Sequence, residues 1–196
     1  MRGRPVPPPH AIKRRVLSMY AEAYGPATFV ETGTYLGDMI FAMKDRFNTI
    51  YSIELSDVLS NKAKRRFCAY RNIHILAGDS GEVLPQILTE VGAPCLFWLD
   101  GHYSGGITAK GQGDTPVIEE VTAILRHTIR GHVILVDDAR CFDGTDGYPT
   151  LAGLGKLIGE AGPEYTWSVA DDIIRILPHP PQLSATGNSI TRDLLQ

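Results

Sequence analysis

The sequence predicts a doubly wound α/β fold: a mostly parallel, seven-stranded sheet with helices on both faces, finished by an antiparallel C-terminal hairpin. Three observations carry this expectation. Short apolar runs alternate with stretches of helical periodicity five times along the chain, the pattern of β-then-α units that build a parallel sheet. The runs 95–100 (CLFWLD) and 132–137 (HVILVD) are apolar without alternation, as expected of strands buried on both faces. The last two runs, 165–170 (YTWSVA) and 173–177 (IIRIL), are joined only by Asp171-Asp172, a connection too short for anything but antiparallel pairing.

Residues 1–9 read as a basic, proline-rich arm, and a helix is expected from His10 to Tyr24, closed by Gly25-Pro26. The domain proper spans 10–178. Its first strand is 27–31, and a helix from about Tyr35 places Leu36, Met39, Ile40 and Met43 on one face. Strand 49–54 is followed by a helix over 57–70 with Val58, Leu59, Ala63 and Phe67 inward. Strand 72–77 ends in Gly78-Asp79-Ser80, and the next helix carries Val83, Leu84, Ile87, Leu88 and Val91. Strand 95–100 leads into a glycine-rich loop of about fourteen residues, long for such a connection. A helix then starts at Thr115-Pro116, with threonine as N-cap and proline in its first position. Strand 132–137, the loop 139–149, a helix marked by Leu151, Leu154, Leu157 and Ile158, and the hairpin complete the domain. Residues 179–196 read as a polar tail.

Composition narrows the function classes. With 196 residues and 43% hydrophobic content, the chain can bury one full core without metal or disulfide staples. A net charge of −3 gives no overall attraction to nucleic acid or membrane. Arg2, Arg4, Lys13, Arg14 and Arg15 occur with no acid among the first fifteen residues and read as a solvated basic arm. Cys68, Cys95 and Cys141 form no CxxC pair, and no apolar run reaches the roughly 20 residues of a membrane span. The amino-terminal segment lacks the apolar centre of a secretory signal. A cytoplasmic location is the expectation, and the oligomeric state is left open.

In a doubly wound sheet, ligands sit at the carboxyl ends of the strands, so each strand's last residues are the ones to read. The first ends in Glu31-Thr32-Gly33-Thr34-Tyr35-Leu36-Gly37. Gly33 allows a sharp turn close to a ligand, and Gly37 allows the next helix to pack on the sheet. The spacing is not GxGxxG, which argues against a nicotinamide oxidoreductase. An acid at this mouth favours a cation over a pyrophosphate. Glu54, ending the second strand, suits the hydroxyls of a ribose. Asp79 suits an adenine amino group, and Ser80 suits an N-cap. A non-catalytic nucleotide-binding domain would need these residues and nothing more.

Glu31, Glu54 and Asp79 at three successive strand ends make residues 27–178 resemble the class I S-adenosylmethionine-dependent methyltransferases. The resemblance implies that Glu31 and Gly33 hold the methionine end of the donor, with Thr34, Tyr35 and Gly37 completing the loop. It implies that Glu54 holds the ribose, and Asp79 with Ser80 the adenine. Two departures stand out: Glu31 where the family often has Asp, and Thr34-Tyr35 where it has glycine.

Asp100 closes the fourth strand and Asp137-Asp138 the fifth. Neighbouring strands put these ends side by side, so the three aspartates are expected to converge as a hard oxygen site for Mg²⁺, with Asp100 also expected to border the cofactor. This is similar to the metal-dependent O-methyltransferases of the catechol and macrocin type, which often carry Asp-Asn where Asp137-Asp138 stand. His102, two residues past Asp100, is the expected general base. Lys110 in the same loop is expected to hold an acidic group of the substrate. Without a separate substrate domain, the expected acceptor is a small molecule, which attacks the donor's sulfonium methyl in line.

Overall fold

The structure is a computed structural model that describes residues 7–100 and 115–179. Its sheet has seven strands: β1 (Thr28–Thr32), β2 (Thr49–Glu54), β3 (Ile73–Ala77), β4 (Cys95–Leu99), β5 (Val133–Val136), β6 (Tyr165–Ala170) and β7 (Ile173–Pro178). Their order is β3-β2-β1-β4-β5-β7-β6. The first five are parallel, and β7 runs antiparallel to both β5 and β6. The α/β architecture is the one expected. Strand order reverses between β1 and β4, which makes their carboxyl ends the natural ligand crevice.

Among the described residues, six α-helices cover the two faces: α1 (His10–Tyr24), α2 (Asp38–Met43), α3 (Asp57–Arg66), α4 (Ser80–Glu90), α5 (Val117–Arg126) and α6 (Leu151–Ala161). One core layer unites α1, α2 and α3 with the sheet through Val16, Leu17, Tyr20, Met39, Ile40, Met43 and Ala63 against Phe29, Leu96, Trp98 and Leu135. The other packs α4, α5 and α6, through Leu84, Ile87, Val121, Ile124, Leu154 and Ile158, on Val30, Phe97, Ile134 and Ile176. Every residue of β4 and β5 is buried, as their unbroken apolar runs require. No helix of the described residues is long and apolar enough to cross a membrane.

Local chemistry shifts some boundaries. Helix α2 begins at Asp38 rather than near Tyr35, because Gly33, Tyr35 and Gly37 all adopt positive φ (87°, 47° and 79°) and hold the chain in a turn. Helix α3 ends at Arg66, four residues short of the expected end. Helix α5 begins at Val117 with Pro116 at the N-cap position, one residue later than expected, while the Thr115 hydroxyl accepts the Val117 N–H at 3.4 Å. The Asp171-Asp172 turn has φ of 55° and 60°, the left-handed pair that a two-residue hairpin with matching twist demands.

Candidate active site

Ladder hydrogen bonds continue past the strand ends and fix the carboxyl edge. The Gly33 N–H donates to Ile53 O at 2.9 Å, Gly78 N–H to Glu54 O at 3.0 Å, Asp100 N–H to Thr32 O at 3.0 Å, and Asp137 N–H to Leu99 O at 2.9 Å. Gly33, Glu54, Gly78, Asp100 and Asp137 are thereby brought to one rim. His102 and Lys110 lie outside the described residues.

Glu54 is only 6% exposed. Its Oε2 accepts the Tyr35 N–H at 2.8 Å and its Oε1 the Ser56 N–H at 2.9 Å. This carboxylate therefore staples the β1–α2 turn to the start of α3, a task its place at the end of a strand did not reveal. Each oxygen keeps a second lone pair for a ligand hydroxyl. Tyr35, at half exposure, takes the left-handed conformation that a glycine would adopt freely. Gly37 has a different role from the one expected. A Cβ there would stand 2.6 Å from the Phe67 ring, so it admits the residue that closes α3.

Glu31 is in the sheet, not at the mouth. It is 2% exposed and accepts a 2.6 Å hydrogen bond from the Ser52 hydroxyl, which in turn lies 2.7 Å from Thr34 Oγ1. Burial pushes its carboxyl up to about 8, the Ser52 bond works the other way, and Asp100 and Glu54 add repulsion. Burial thus favours the protonated form of the Glu31 carboxyl. Asp79, not Ser80, caps α4: its Oδ1 accepts the Gly81 N–H at 2.9 Å, and Ser80 is the first helical residue.

Asp100, Asp137 and Asp138 converge, each offering an oxygen within 4.8 Å of the others. Asp137 and Asp138 are buried, and Asp138 sits at a φ of 57°. Three carboxylate oxygens this close make a candidate cation site. Two cations of the chain also reach them. The Lys13 ammonium forms a short hydrogen-bonded ion pair with Asp137 Oδ2 and lies 3.8 Å from Asp138 Oδ1. Arg140 bridges Asp138, at 2.6 Å, and Asp172. Burial, then repulsion from Asp100 and Asp138, raises Asp137 to about 7 against the pull of Lys13. Burial also works to lower Lys13, but its bond to Asp137 and the three carboxylate charges leave it higher than an ordinary lysine. Lys13 does not belong to a solvated arm: its side chain is only 12% exposed.

Beside the cluster is a solvent-open cleft of about 230 Å³, lined by Leu99, Asp100, Val117, Glu120, Asp137 and Tyr148 among others. Glu120 was not anticipated. It is 1% exposed, its Oε1 makes no well-formed hydrogen bond, and burial raises it to about 7 against the hydroxyls of Ser80 and Thr32. The signal was present: Val117, Glu120, Val121 and Ile124 share one helical stripe, and Glu120 is the acid in it.

No family model matches the sequence, and no curated protein does. Solved structures do match. The O-methyltransferase TomG of Streptomyces achromogenes, involved in tomaymycin synthesis and in complex with SAM, is 17% identical with a TM-score of 0.62, over 92% of this chain and 84% of its own. The Bacillus cereus O-methyltransferase in complex with SAH is 17% identical with a TM-score of 0.61, over 89% and 83%. The 23S rRNA methyltransferase ErmE is also 17% identical, with a TM-score of 0.51, over 86% and 70%. At these identities the likeness is one of fold, and it spans proteins that differ in what they methylate. The chain therefore has the fold of the class I S-adenosylmethionine-dependent methyltransferases.

Proposed function

We propose that this protein is an S-adenosylmethionine-dependent methyltransferase acting on an oxygen of a small-molecule acceptor. The observation that carries the reading is the rim itself. Glu54, Asp79 and the three-aspartate cluster sit around the β1/β4 reversal of a sheet shared with methyltransferases that bind SAM and SAH. In this reading Gly33, Thr34, Tyr35 and Gly37 shape the loop under the methionine end, with Glu31 beneath them. Glu54 accepts the ribose hydroxyls on its spare lone pairs. Asp79, already fixed by its cap to Gly81, accepts the adenine amino group, with Ser80 beside it.

The sulfonium already makes the methyl group electrophilic, so the chain's work is alignment, worth about 7–11 kcal/mol in favourable intramolecular cases. Asp100, Asp137 and Asp138 would hold Mg²⁺, which when bound would polarise an acceptor hydroxyl and lower its pKa. His102 takes the acceptor proton, and Lys110 contacts the acceptor. Among the described residues, Asp100, Glu120, Asp137, Thr115 and Tyr148 bring acids and hydroxyls to the cleft beside Leu99, Val117 and Val136, which supports a hydroxyl-bearing acceptor with an apolar body.

Labelled methyl donor, screened against phenols, sugars and small acids, tests this. Transfer should be lost on chelation, return with Mg²⁺ or Mn²⁺, and fall about 10²–10⁴-fold in His102→Ala. Full activity in excess chelator would remove the metal from the reading, and absence of transfer to any acceptor class would count against the reaction.

A further inference from the structure

The amino-terminal helix brings a cation to the place where the proposed function puts a metal ion. Lys13, Val16, Leu17 and Tyr20 follow the i, i+3, i+4, i+7 spacing of one helical stripe. The last three are buried against the sheet. Lys13 extends that stripe by one turn, beyond the end of the apolar core, and there its ammonium meets Asp137 and Asp138 at the carboxyl edge.

Resting on that functional reading, we propose that Lys13 is the resident cation of the three-aspartate cluster and competes with the divalent ion for it, so that metal enters only as Lys13 leaves. An Asp137 oxygen that ligates Mg²⁺ does so at about 2.0–2.1 Å. Both oxygens of Asp137 are already engaged: Oδ2 holds the Lys13 ammonium in hydrogen-bond contact, and Oδ1 accepts the Asp138 N–H at 2.8 Å. Metal and ammonium together would place a double and a single positive charge a few ångströms apart in a buried setting, where repulsion is screened weakly. Conversely, Lys13 offsets the repulsion of Asp137 by its neighbouring carboxylates, as Arg140 does at Asp138.

The helix is built to let the side chain go. Lys13 lies in the first turn of α1, whose N-cap is Pro9 with no side-chain cap. The residues that anchor α1 come later, at Val16, Leu17 and Tyr20. Release of Lys13 therefore disturbs at most one helical turn and leaves the core contacts in place. In this protein α1 is more than a cover for the sheet: it sets the threshold concentration at which metal loads.

The test uses Mn²⁺ alone, titrated by calorimetry and by its electron paramagnetic resonance signal into the wild-type chain, Lys13→Met and Lys13→Arg. Lys13→Met should bind Mn²⁺ about tenfold or more tightly, and Lys13→Arg should stay near wild type, because it keeps a competing cation. Lys13→Met leaves Asp137 without its lysine, with Arg140 still on Asp138, so a second readout uses the wild-type chain only. Acetylation of Lys13 by an amine-reactive ester, followed by mass spectrometry, should increase severalfold when Mn²⁺ is added, with other lysines unchanged. Equal Mn²⁺ affinity in all three chains, with constant Lys13 labelling, would overturn the competition while leaving the metal site in place. Failure of every chain to bind Mn²⁺ would overturn both the competition and the metal in the functional reading.

Discussion

At the scale of single residues, Glu54 and Glu31 carry opposite lessons. Glu54 stood out as an acid ending a strand, and it does lie on the rim. The hydrogen bond it accepts from Tyr35 was not legible, because it depends on a turn made by positive φ angles, and the one from Ser56 depends on how the chain leaves β2. Glu54→Ala should therefore weaken S-adenosylhomocysteine binding by about 1.5–3 kcal/mol, the range for hydrogen bonds to charged groups, and also lower stability. Calorimetry and denaturant unfolding read the two effects, and an unchanged dissociation constant in a folded variant would make Glu54 structural only. Glu31 looked like a charge at the mouth, but its side chain turns into the sheet against Ser52. Its folded pKa, about 8, lies above the ordinary 4.5. Between those values the unfolded chain loses a proton that the native one keeps, so this group costs stability as pH rises, by up to about 1.4 kcal/mol per unit. Glu31→Gln removes that cost. Its stability relative to wild type should climb from pH 5 to pH 8, whereas a difference that stays flat would mean that Glu31 is ionised in the fold.

At the scale of elements, periodicity was enough to find the seven strands and six α-helices of the described residues, but not the 3-10 turn at Ala139–Cys141 or the way the element ends meet. Helix α1 was legible as a helix. That Lys13 meets Asp137 was not, since 124 residues separate them and only the docking of α1 on the sheet joins them. Glu120 was hidden for a related reason: an acid within an apolar stripe shows up only when the stripe is traced on α5 itself. The turn between β1 and α2 makes the sharpest element-scale prediction. Gly37 has a φ of 79°, and a Cβ there would strike the Phe67 ring at 2.6 Å. Gly37→Ala should destabilise the fold by about 1–3 kcal/mol, combining left-handed strain with overpacking. Urea unfolding measures it, and a neutral outcome would show that the end of α3 yields at no cost.

At the scale of the whole molecule, alternating apolar runs and the two-residue hairpin were sufficient for a seven-stranded sheet, because right-handed crossovers leave few topologies. Acids at successive strand ends indicated where a ligand would sit, because the parallel sheet brings those ends to one rim. Chemistry beyond the rim was less legible, since the acceptor is recognised by cleft and loop residues that no strand register aligns. The central claim is that this rim binds the methyl donor. Its most direct test is calorimetric titration of the wild-type chain with S-adenosylmethionine, S-adenosylhomocysteine and NAD. Saturable binding of the first two at one site per chain, and none of the third, is the expected result. Binding of NAD with no response to S-adenosylhomocysteine would contradict it.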